Sequence, residues 1–372
     1  MENNRIRKTL PRILPLLQEN IDAVILVSPS NVSYMTGIPH PSGTILLVSK
    51  NGEISVSTTV LELDRVRDYL PGEAEVYAYF RSRDEQAKLD VEDARIIDGN
   101  FVEAVKFLVG NMNVACDIDT LPYATANKLS HLCKESFTNT MKKIRMQKDR
   151  WEIELISQAI KIAEYSFRRT LHEIEEGMTE LEIAGLIKYY MNEAGGYEEA
   201  FPTIVAIDEN SANPHAIPGW RRLSLHSTLL IDWGARYDVY VSDMTRTLVF
   251  PSLYGAIQTK YLEWVKEAVE EAIDKVEPGV AAGDIDAAAR KTLEKYGVAG
   301  RFIHGTGHGV GVDVHEEPYI RPGNNTVLEE GMIFTIEPGI YFKGFSGYRI
   351  EVMVEVTSKG HKVLTSLPKI LP

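Results

Sequence analysis

Two aspartates in the second half of the chain have a spacing that could bring their carboxylates together. The segment LLIDWGARYDVYVSDMTRTLVF predicts a hairpin, and a turn at Tyr237-Asp238 would place Asp232 directly opposite Asp243. Directly opposed residues of an antiparallel pair have Cβ atoms about 4.5–5.5 Å apart, and like charges there destabilise the sheet. Because the flanking residues are typical of a buried strand, the two acids need a partner that compensates their charge.

A second predicted hairpin repeats this arrangement with two glutamates. In IFTIEPGIYFKGFSGYRIEVMVEV, a turn centred on Gly344 would place Glu337 opposite Glu351 inside apolar strands. Either pair alone is compatible with acids on a surface strand, or with two carboxyl groups that share a proton. Two pairs in apolar surroundings favour a multivalent cation with oxygen ligands. This depends on the register, because a slip of one residue turns every side chain to the other face.

Three of the nine histidines fall within FIHGTGHGVGVDVHEEP, at His304, His308 and His315. Glycines flank His308, so the backbone can approach a ligand closely there. The spacing differs from the helical HExxH arrangement. A lone histidine is usually structural, but a cluster among glycines and near acidic strands favours metal binding or catalysis.

The elements that would position these residues alternate between strands and helices, which indicates an α/β architecture in the first third. Strands are predicted at 23–27, 45–48, 54–57, 76–80 and 113–118, with a turn at 50–52, a turn-rich stretch SPSNVSYMTG and a helix at 101–109. Helical periodicity predicts helices at about 150–174, 179–194, 255–276 and 283–296. Strand-rich segments follow at 229–250, 332–342 and 348–357, and we expect a domain boundary near residue 140.

The bulk composition limits the class of protein. A chain of 372 residues is longer than one hydrophobic core generally supports, which favours two domains. The formal charge of −13 argues against nucleic acids and anionic membranes as partners. Cys116 and Cys133 match no metal or redox spacing, and two lone thiols suggest a reducing compartment. The N-terminus lacks the apolar core of a signal peptide and no apolar run approaches the roughly 18–20 residues of a membrane span, so we expect a cytoplasmic protein.

Four segments together resemble the successive signatures of one enzyme family. IDWGARYDVYVSDMTRT, IHGTGHGVGVDVHEEP, FTIEPGIY and YRIEVMVEV are similar to motifs of the pita-bread metallopeptidases, which include Xaa-Pro dipeptidase (prolidase), aminopeptidase P and methionine aminopeptidase. The N-terminal third resembles the extra domain of the prolidase, aminopeptidase P and creatinase branch, which methionine aminopeptidases lack. The resemblance implies an α/β N-terminal domain of creatinase/prolidase type over residues 1–140. It implies an α+β pita-bread catalytic domain over residues 141–372.

The resemblance also implies a ligand set and a reaction. Two divalent ions, manganese first with cobalt or zinc as alternatives, would be held by five residues: Asp232, Asp243, His308, Glu337 and Glu351. Such a pair of ions activates a water for attack on the scissile carbonyl. Glu337 would also shuttle the proton as general base and acid. His315 would stabilise the tetrahedral intermediate, and His215, in NPHAIPG, would contact the substrate near the scissile bond.

The remaining site residues concern the side of the pocket that receives proline. His304 would line that pocket, and Arg349 and Tyr341 match positions in it or behind the ligands. A dipeptidase must capture the carboxylate of proline, for which Arg321 (in YIRPG) and Arg349 are candidates, whereas an aminopeptidase P leaves that side open. The sequence departs from the family pattern at Val352, where many relatives have an acid or an amide, but no ligand is affected.

The leading hypothesis is a dinuclear metal-dependent Xaa-Pro dipeptidase that acts on small peptides with proline in the second position. The alternative is an aminopeptidase P that acts on longer peptides. A hydrolase of non-peptide amides and an inactive binding module on the same fold are remote alternatives, which the intact ligand set disfavours. By analogy with this branch of the family, we expect a homodimer.

Overall fold

A computed structural model of the chain describes residues 5–82, 95–250 and 255–371. The described chain divides into two compact units, one ending at Arg145 and the other beginning at Met146. The predicted boundary near residue 140 lies inside the helix Thr138–Met146, which buries Ile144 and Arg145. These residues bond to the first unit, because Arg12 donates to the Ile144 carbonyl and Arg145 donates to Asn31.

The first unit has the predicted α/β character. Its described strands form one mixed sheet in the order β5-β4-β3-β2-β1-β6-β7. They are β1 Ala23–Leu26, β2 Ile45–Ser49, β3 Ile54–Thr59, β4 Glu75–Tyr79, β5 Arg95–Ile97, β6 Val114–Cys116 and β7 Cys133–Ser136. The helices are α1 Arg5–Ile13, α2 Pro29–Thr36, α3 Leu63–Arg67, α4 Phe101–Val109, α5 Tyr123–Leu129 and α6 Thr138–Met146. β1 pairs antiparallel with β2 and parallel with β6, and all four of its residues are buried, as its continuous apolar run predicts.

Two predictions in this unit are wrong. The stretch SPSNVSYMTG is mostly the helix α2, which begins with Pro29 in its first turn and ends at Gly37, where φ is 79°. Proline is well suited to the first turn of a helix and glycine to its end, so the residues that suggested turns are the punctuation of a helix. Cys116 and Cys133 are not lone thiols but form a disulfide, with 5.7 Å between their Cα atoms. They belong to the neighbouring strands β6 and β7, which the sequence does not reveal as neighbours.

The second unit packs pairs of helices against antiparallel sheets. Its helices are α7 Arg150–Leu171, α8 Glu180–Glu193, α9 Gly255–Ile273 and α10 Ala282–Lys295. Its strands are β8 Glu198–Glu199, β9 Ile204–Ile207, β10 Thr228–Trp233, β11 Ala235–Tyr237, β12 Tyr240–Val241, β13 Met244–Val249, β14 Gly307–Gly309, β15 Glu316–Ile320, β16 Ile333–Ile336, β17 Gly339–Phe342, β18 Ser346–Arg349, β19 Val352–Thr357 and β20 Gly360–Val363. The largest sheet runs β15-β14-β16-β19-β20. A core of α9 and α10 side chains packs against this sheet. Within the described ranges, no helix is both long and apolar enough to cross a bilayer.

The register of the glutamate hairpin is as predicted. Gly339 pairs with Arg349, and Ile336 pairs with Val352. Glu337 and Glu351 occupy the breaks between these two ladders, so the register places them across from each other. The turn contains Gly344, whose φ of 77° is one that glycine adopts readily.

The register of the aspartate hairpin differs from the prediction by two residues. Tyr237 pairs with Tyr240, so the turn residues are Asp238 and Val239, and Asp238 has a φ of 56°. Asp232 therefore pairs with Thr245 and not with Asp243. Because side chains alternate with a period of two, a shift of two residues does not turn Asp243 away from the face of Asp232.

Candidate metal centre and active site

The two hairpins and the glycine-rich strand β14 place the predicted site residues around one cavity of about 670 Å³. Ten predicted residues line it: His215, Asp232, Asp243, His304, His308, His315, Arg321, Glu337, Arg349 and Glu351. Tyr341 does not line the cavity but lies directly behind it, bonded to two residues that do. Other residues that line the cavity, among them Asn213 and Pro214, were not predicted.

Acidic oxygens and one imidazole nitrogen converge at the base of this cavity. Asp243, His308 and Glu351 each place a ligand atom within 4.8 Å of the others. His308 Nε2 lies 3.6 Å from Asp243 Oδ2 and 3.3 Å from Glu337 Oε1. Asp232 Oδ1 is buried and finds no hydrogen-bond partner among the residues that the structure describes. A buried oxygen without a described partner favours the assignment of Asp232 as a metal ligand.

The orientation of His308 supports the same interpretation. Its Nδ1 lies 3.2 Å from the Gly309 carbonyl oxygen, which can only accept, so Nδ1 carries the proton. The other ring nitrogen, Nε2, then faces the carboxylates of Asp243 and Glu337, where it would lose its proton to coordinate an ion. Metal-binding histidines generally have this arrangement, with one nitrogen fixed by a carbonyl and the other free to coordinate.

The electrostatics of the acids also favour a bound cation. Asp232, Asp243 and Glu351 are only 9%, 4% and 1% exposed. Burial raises the pKa of all three carboxyl groups, and the charge of Glu351 raises that of Asp243 further. Burial also acts to raise the pKa of Glu337, but His308, by a hydrogen bond and by its charge, lowers it to about 2. Four acids and one imidazole form a predominantly oxygen donor set that fits hard divalent ions.

Neighbouring side chains fix two of the acids in place. Thr245 Oγ1 donates to Glu351 Oε2 at 2.8 Å, as expected for a residue that orients a ligand. Arg349 Nη2 donates to Asp232 Oδ2 at 2.6 Å, and Arg349 Nε donates to Thr245 Oγ1 at 3.1 Å. Arg349 therefore restrains both hairpins, because Asp232 and Thr245 belong to one and Arg349 itself to the other.

A directional chain of hydrogen bonds runs from Arg349 to His304. Arg349 Nη1 donates to the Tyr341 hydroxyl at 2.8 Å, and this hydroxyl lies 2.8 Å from His304 Nε2. His304 Nδ1 lies 2.8 Å from the Gly305 carbonyl and must donate to it. Burial lowers the pKa of His304, so the ring is neutral and Nε2 accepts from Tyr341. The network fixes the tautomer of a residue on the cavity wall.

The other three predicted residues are at the open side of the cavity. His215, His315 and Arg321 are all exposed. The His315 and His308 rings pack edge to face, with 4.2 Å between their centroids. Partial burial of the His315 ring, together with the His308 charge, lowers the pKa of His315. The Arg321 guanidinium lies 5.2 Å above the Tyr319 ring. These side chains surround the space where a ligand would enter.

A buried aspartate on α10 supports the strands of the candidate metal centre, and the sequence offered no signal for it. Asp286 Oδ1 accepts from the amide and the hydroxyl of Thr306, at 3.2 and 2.9 Å. The Thr306 carbonyl accepts from the Glu337 amide at 2.7 Å. Asp286 thus connects the helix to the backbone of a proposed ligand, over a separation in sequence that no local pattern spans.

The chain belongs to metallopeptidase family M24, whose profile matches residues 154–358. Residues 15–147 match the profile described as the Creatinase/Prolidase N-terminal domain. The predictions of a pita-bread catalytic domain, of a creatinase/prolidase-type N-terminal domain and of a peptidase are confirmed.

Relatives are similar over almost the whole chain. An Xaa-Pro dipeptidase of Pyrococcus furiosus is 33% identical over 365 residues, which cover 97% of this chain and 98% of the relative. An Xaa-Pro dipeptidase of Lactobacillus helveticus is 34% identical over 363 residues, which cover 95% of both proteins. The crystal structure of an X-Pro aminopeptidase from Thermotoga maritima MSB8 has a TM-score of 0.84, 29% identity and 99% coverage of both chains. The relatives thus divide between two activities.

Proposed function

We propose that this metallopeptidase is a dinuclear Xaa-Pro dipeptidase, with Asp232, Asp243, His308, Glu337 and Glu351 as ligands. The observation that carries the proposal is the convergence of these five residues on one cavity, with an orphaned oxygen on Asp232 and the Nε2 nitrogen of His308 directed inwards. The preferred ion is manganese, with cobalt or zinc as alternatives, because hard oxygen ligands predominate. When bound, a pair of such ions supplies an activated water at neutral pH.

The proposed roles of the other residues follow from their places in the cavity. Glu337 has its carboxylate beside His308, where it can accept a proton from the attacking water and deliver it to the leaving amine. His315 and His215 are accessible at the rim and are proposed to contact the scissile peptide, His315 as the donor to the developing oxyanion. Neutral His304, fixed by Tyr341, lines the wall on the proline side.

Arg321 is proposed to distinguish the dipeptidase from an aminopeptidase P. A dipeptide ends in a carboxylate directly after proline, and an exposed guanidinium on the cavity wall can bind it. Arg349 is less suited to this task, because its donors already bond to Asp232, Tyr341 and Thr245. The aminopeptidase P reading has support of its own in the structural likeness to the Thermotoga X-Pro aminopeptidase.

Cytoplasmic residence and a homodimer complete the proposal. The homodimer rests on the resemblance to the prolidase branch. Cytoplasmic residence is the expectation from the sequence, and the Cys116–Cys133 disulfide counts against the reducing compartment that two lone thiols suggested. Light scattering would measure the dimer. Alkylation of the freshly isolated protein, followed by mass spectrometry, would measure whether both cysteines are oxidised in the cell.

Turnover of matched peptides tests the substrate. Ala-Pro, Leu-Pro and a longer X-Pro-Y peptide are compared with manganese or cobalt present, alongside Ala-Ala as a control without proline. Cleavage of the X-Pro dipeptides alone supports the dipeptidase, and cleavage of the longer peptide supports an aminopeptidase P. Equal cleavage of Ala-Ala, or no cleavage at all, overturns the proposed substrate class. Arg321→Ala should raise KM for dipeptides far more than for the longer peptide.

A further inference from the structure

The loop that carries His215 is fixed from outside the cavity by a buried acid on a helix. Residues 208–219, termed the His215 loop, contribute Asn213, Pro214 and His215 to the cavity wall. The loop begins directly after β9 and returns to the first turn of α8. Its far side is exposed, with Ile217 at 84%. The position of His215 therefore depends on what holds the two ends of the loop.

The first residue of α8, Glu180, bonds to both ends. It is 1% exposed. Its Oε1 accepts from the Ile207 amide at 2.7 Å, just before the loop, and its Oε2 accepts from the Gly219 amide at 2.8 Å, at the end of the loop. The Asn210 side-chain amide donates to both oxygens at 2.9 Å. The Leu181 amide adds a bond to the Gly219 carbonyl at 3.2 Å.

A carboxylate is the group that this geometry requires. Both oxygens must accept, because each faces a backbone N–H, that of buried Ile207 and that of half-buried Gly219. A glutamine has one oxygen and one NH₂ group, so one end of the loop would face a donor instead of an acceptor. Leaving such a buried group without a partner is costly, and the chain would move to restore the bond.

We propose that Glu180 is a positioning residue that sets the place of His215 by closing the base of the His215 loop. The inference rests on the proposed function, in which His215 contacts the substrate. Glu180 does not itself line the cavity, so it acts through the loop. A misplacement of about 1 Å at a group that contacts the substrate can lower the rate by about a hundredfold.

The variant Glu180→Gln tests the proposal through a double-mutant cycle with His215→Ala. We expect kcat/KM for an X-Pro substrate to fall about ten- to a hundredfold in Glu180→Gln. In the His215→Ala background the same change should have almost no further effect, because the residue that it misplaces is gone. A purely structural residue would lower the rate by the same factor in both backgrounds, which would overturn the proposal, as would wild-type kcat/KM in Glu180→Gln.

Glu182→Gln is the matched control on the same helical turn. Glu182 is exposed and accepts from the Thr179 amide at 2.7 Å in the capping box at the start of α8. Its described hydrogen bonds go to Thr179 and not to the His215 loop, and a glutamine can still accept them, so kcat/KM should stay within about twofold of wild type. If Glu180→Gln fails to fold, Asn210→Ala removes the middle contact with Glu180, together with a 3.5 Å bond to the Ile217 carbonyl inside the loop. This variant should show the same non-additivity with His215→Ala at a smaller size.

Hydrogen exchange separates failure of this inference from failure of the proposed function. Amides of the His215 loop should exchange faster in Glu180→Gln than in wild type and Glu182→Gln, whereas those of residues 302–306 should not change. If the wild type cleaves no X-Pro peptide but this pattern appears, the loop is positioned as inferred and the substrate assignment is wrong. If exchange in the loop is unchanged, Glu180 does not position it, whatever the enzyme cleaves.

Discussion

Each of the two units buries carboxylates, but their oxygens meet different neighbours. In the first unit Asp117, fully buried, follows β6. Its Oδ1 accepts from the Val27 amide at 2.5 Å, and its Oδ2 accepts from Asn31 Nδ2 at 2.8 Å and from the Ser28 amide at 3.3 Å. These donors belong to the end of β1 and the start of α2, so Asp117 joins three elements. Both carboxylate oxygens of Asp117 thus accept hydrogen bonds from N–H groups of the protein itself.

The acids of the second unit face one another. Beyond burial, the charge of Glu351 raises the pKa of Asp243, and the charges of Glu337 and Asp232 raise the pKa of Glu351. Asp232 has an oxygen without a described partner. Burial raises the pKa in both units, so burial alone does not distinguish the two kinds of site. What distinguishes them is whether N–H donors or other carboxylates surround the oxygens. Glu180 and Asp286 resemble Asp117 in this respect, because N–H or O–H donors face their oxygens.

The largest expected effect is on turnover, from Glu337→Gln. Glutamine cannot accept the proton at this position, so kcat for an X-Pro substrate should fall by about 10²–10⁴-fold. The fold and most of the metal binding should remain, which circular dichroism and metal analysis of the purified variant would show. Turnover equal to that of the wild type would contradict Glu337 as both ligand and proton shuttle.

Asp243→Asn tests the difference between the two sites most directly, because its effect on the free energy of unfolding should change sign when metal is bound. Without metal, removal of one of the opposed charges should raise the free energy of unfolding. With free manganese a hundredfold above Kd, the free energy of unfolding of the wild type should rise by about 2.7 kcal/mol. The variant should lack most of this increase. Unfolding in denaturant with EDTA and with manganese measures both. Destabilisation of the metal-free protein by this substitution would show that the acids do not repel one another.

Asp117→Asn should destabilise the protein by about 1–3 kcal/mol, with or without metal, because the amide group faces N–H donors. The readout is the same pair of unfolding curves. Hydrogen exchange at Val27 and Ser28 should locate the loss in the first unit. If the substitution instead stabilises the protein, the carboxylate of Asp117 is not satisfied by its donors, and the distinction between the two sites fails.

The last expected effect is a dependence of stability on pH that Asp117 contributes. Burial, against the hydrogen bonds of Asn31, Val27 and Ser28, raises the pKa of Asp117 to about 7. A group whose pKa is raised on folding binds its proton more tightly in the native state, so it stabilises most below the unfolded pKa of about 4. The wild type should therefore lose stability relative to Asp117→Asn as the pH rises from about 4 to about 7. A difference that does not vary with pH would show that the pKa of Asp117 is not raised.

The glutamate half of the metal centre could be predicted from the sequence because its turn contains a residue with a strong conformational preference. Gly344 fixed the centre of the hairpin, so the pairing of Glu337 with Glu351 followed from the spacing alone. The helices Phe101–Val109 and Arg150–Leu171 could be predicted equally well, since their apolar residues recur with the helical period.

The aspartate half could not be predicted to the same extent. Asp238 adopts a left-handed conformation, and nothing in Arg-Tyr-Asp-Val-Tyr distinguishes a turn at Tyr237-Asp238 from one at Asp238-Val239. The prediction still placed Asp232 and Asp243 on one face, because the error was an even number of residues. An error of an odd number of residues would have placed the two aspartates on opposite faces of the sheet.

The sequence by itself determined the family, the layered architecture and the residue types gathered at the metal centre, because motifs, periodicity and turn glycines are local properties. Only the tertiary structure decided which distant groups meet. It brought Cys116 against Cys133, Asp117 under the start of α2, and Glu180 between the two ends of the His215 loop. Each of these contacts joins residues whose separation in sequence is bridged by other elements, so their proximity depends on how those elements pack.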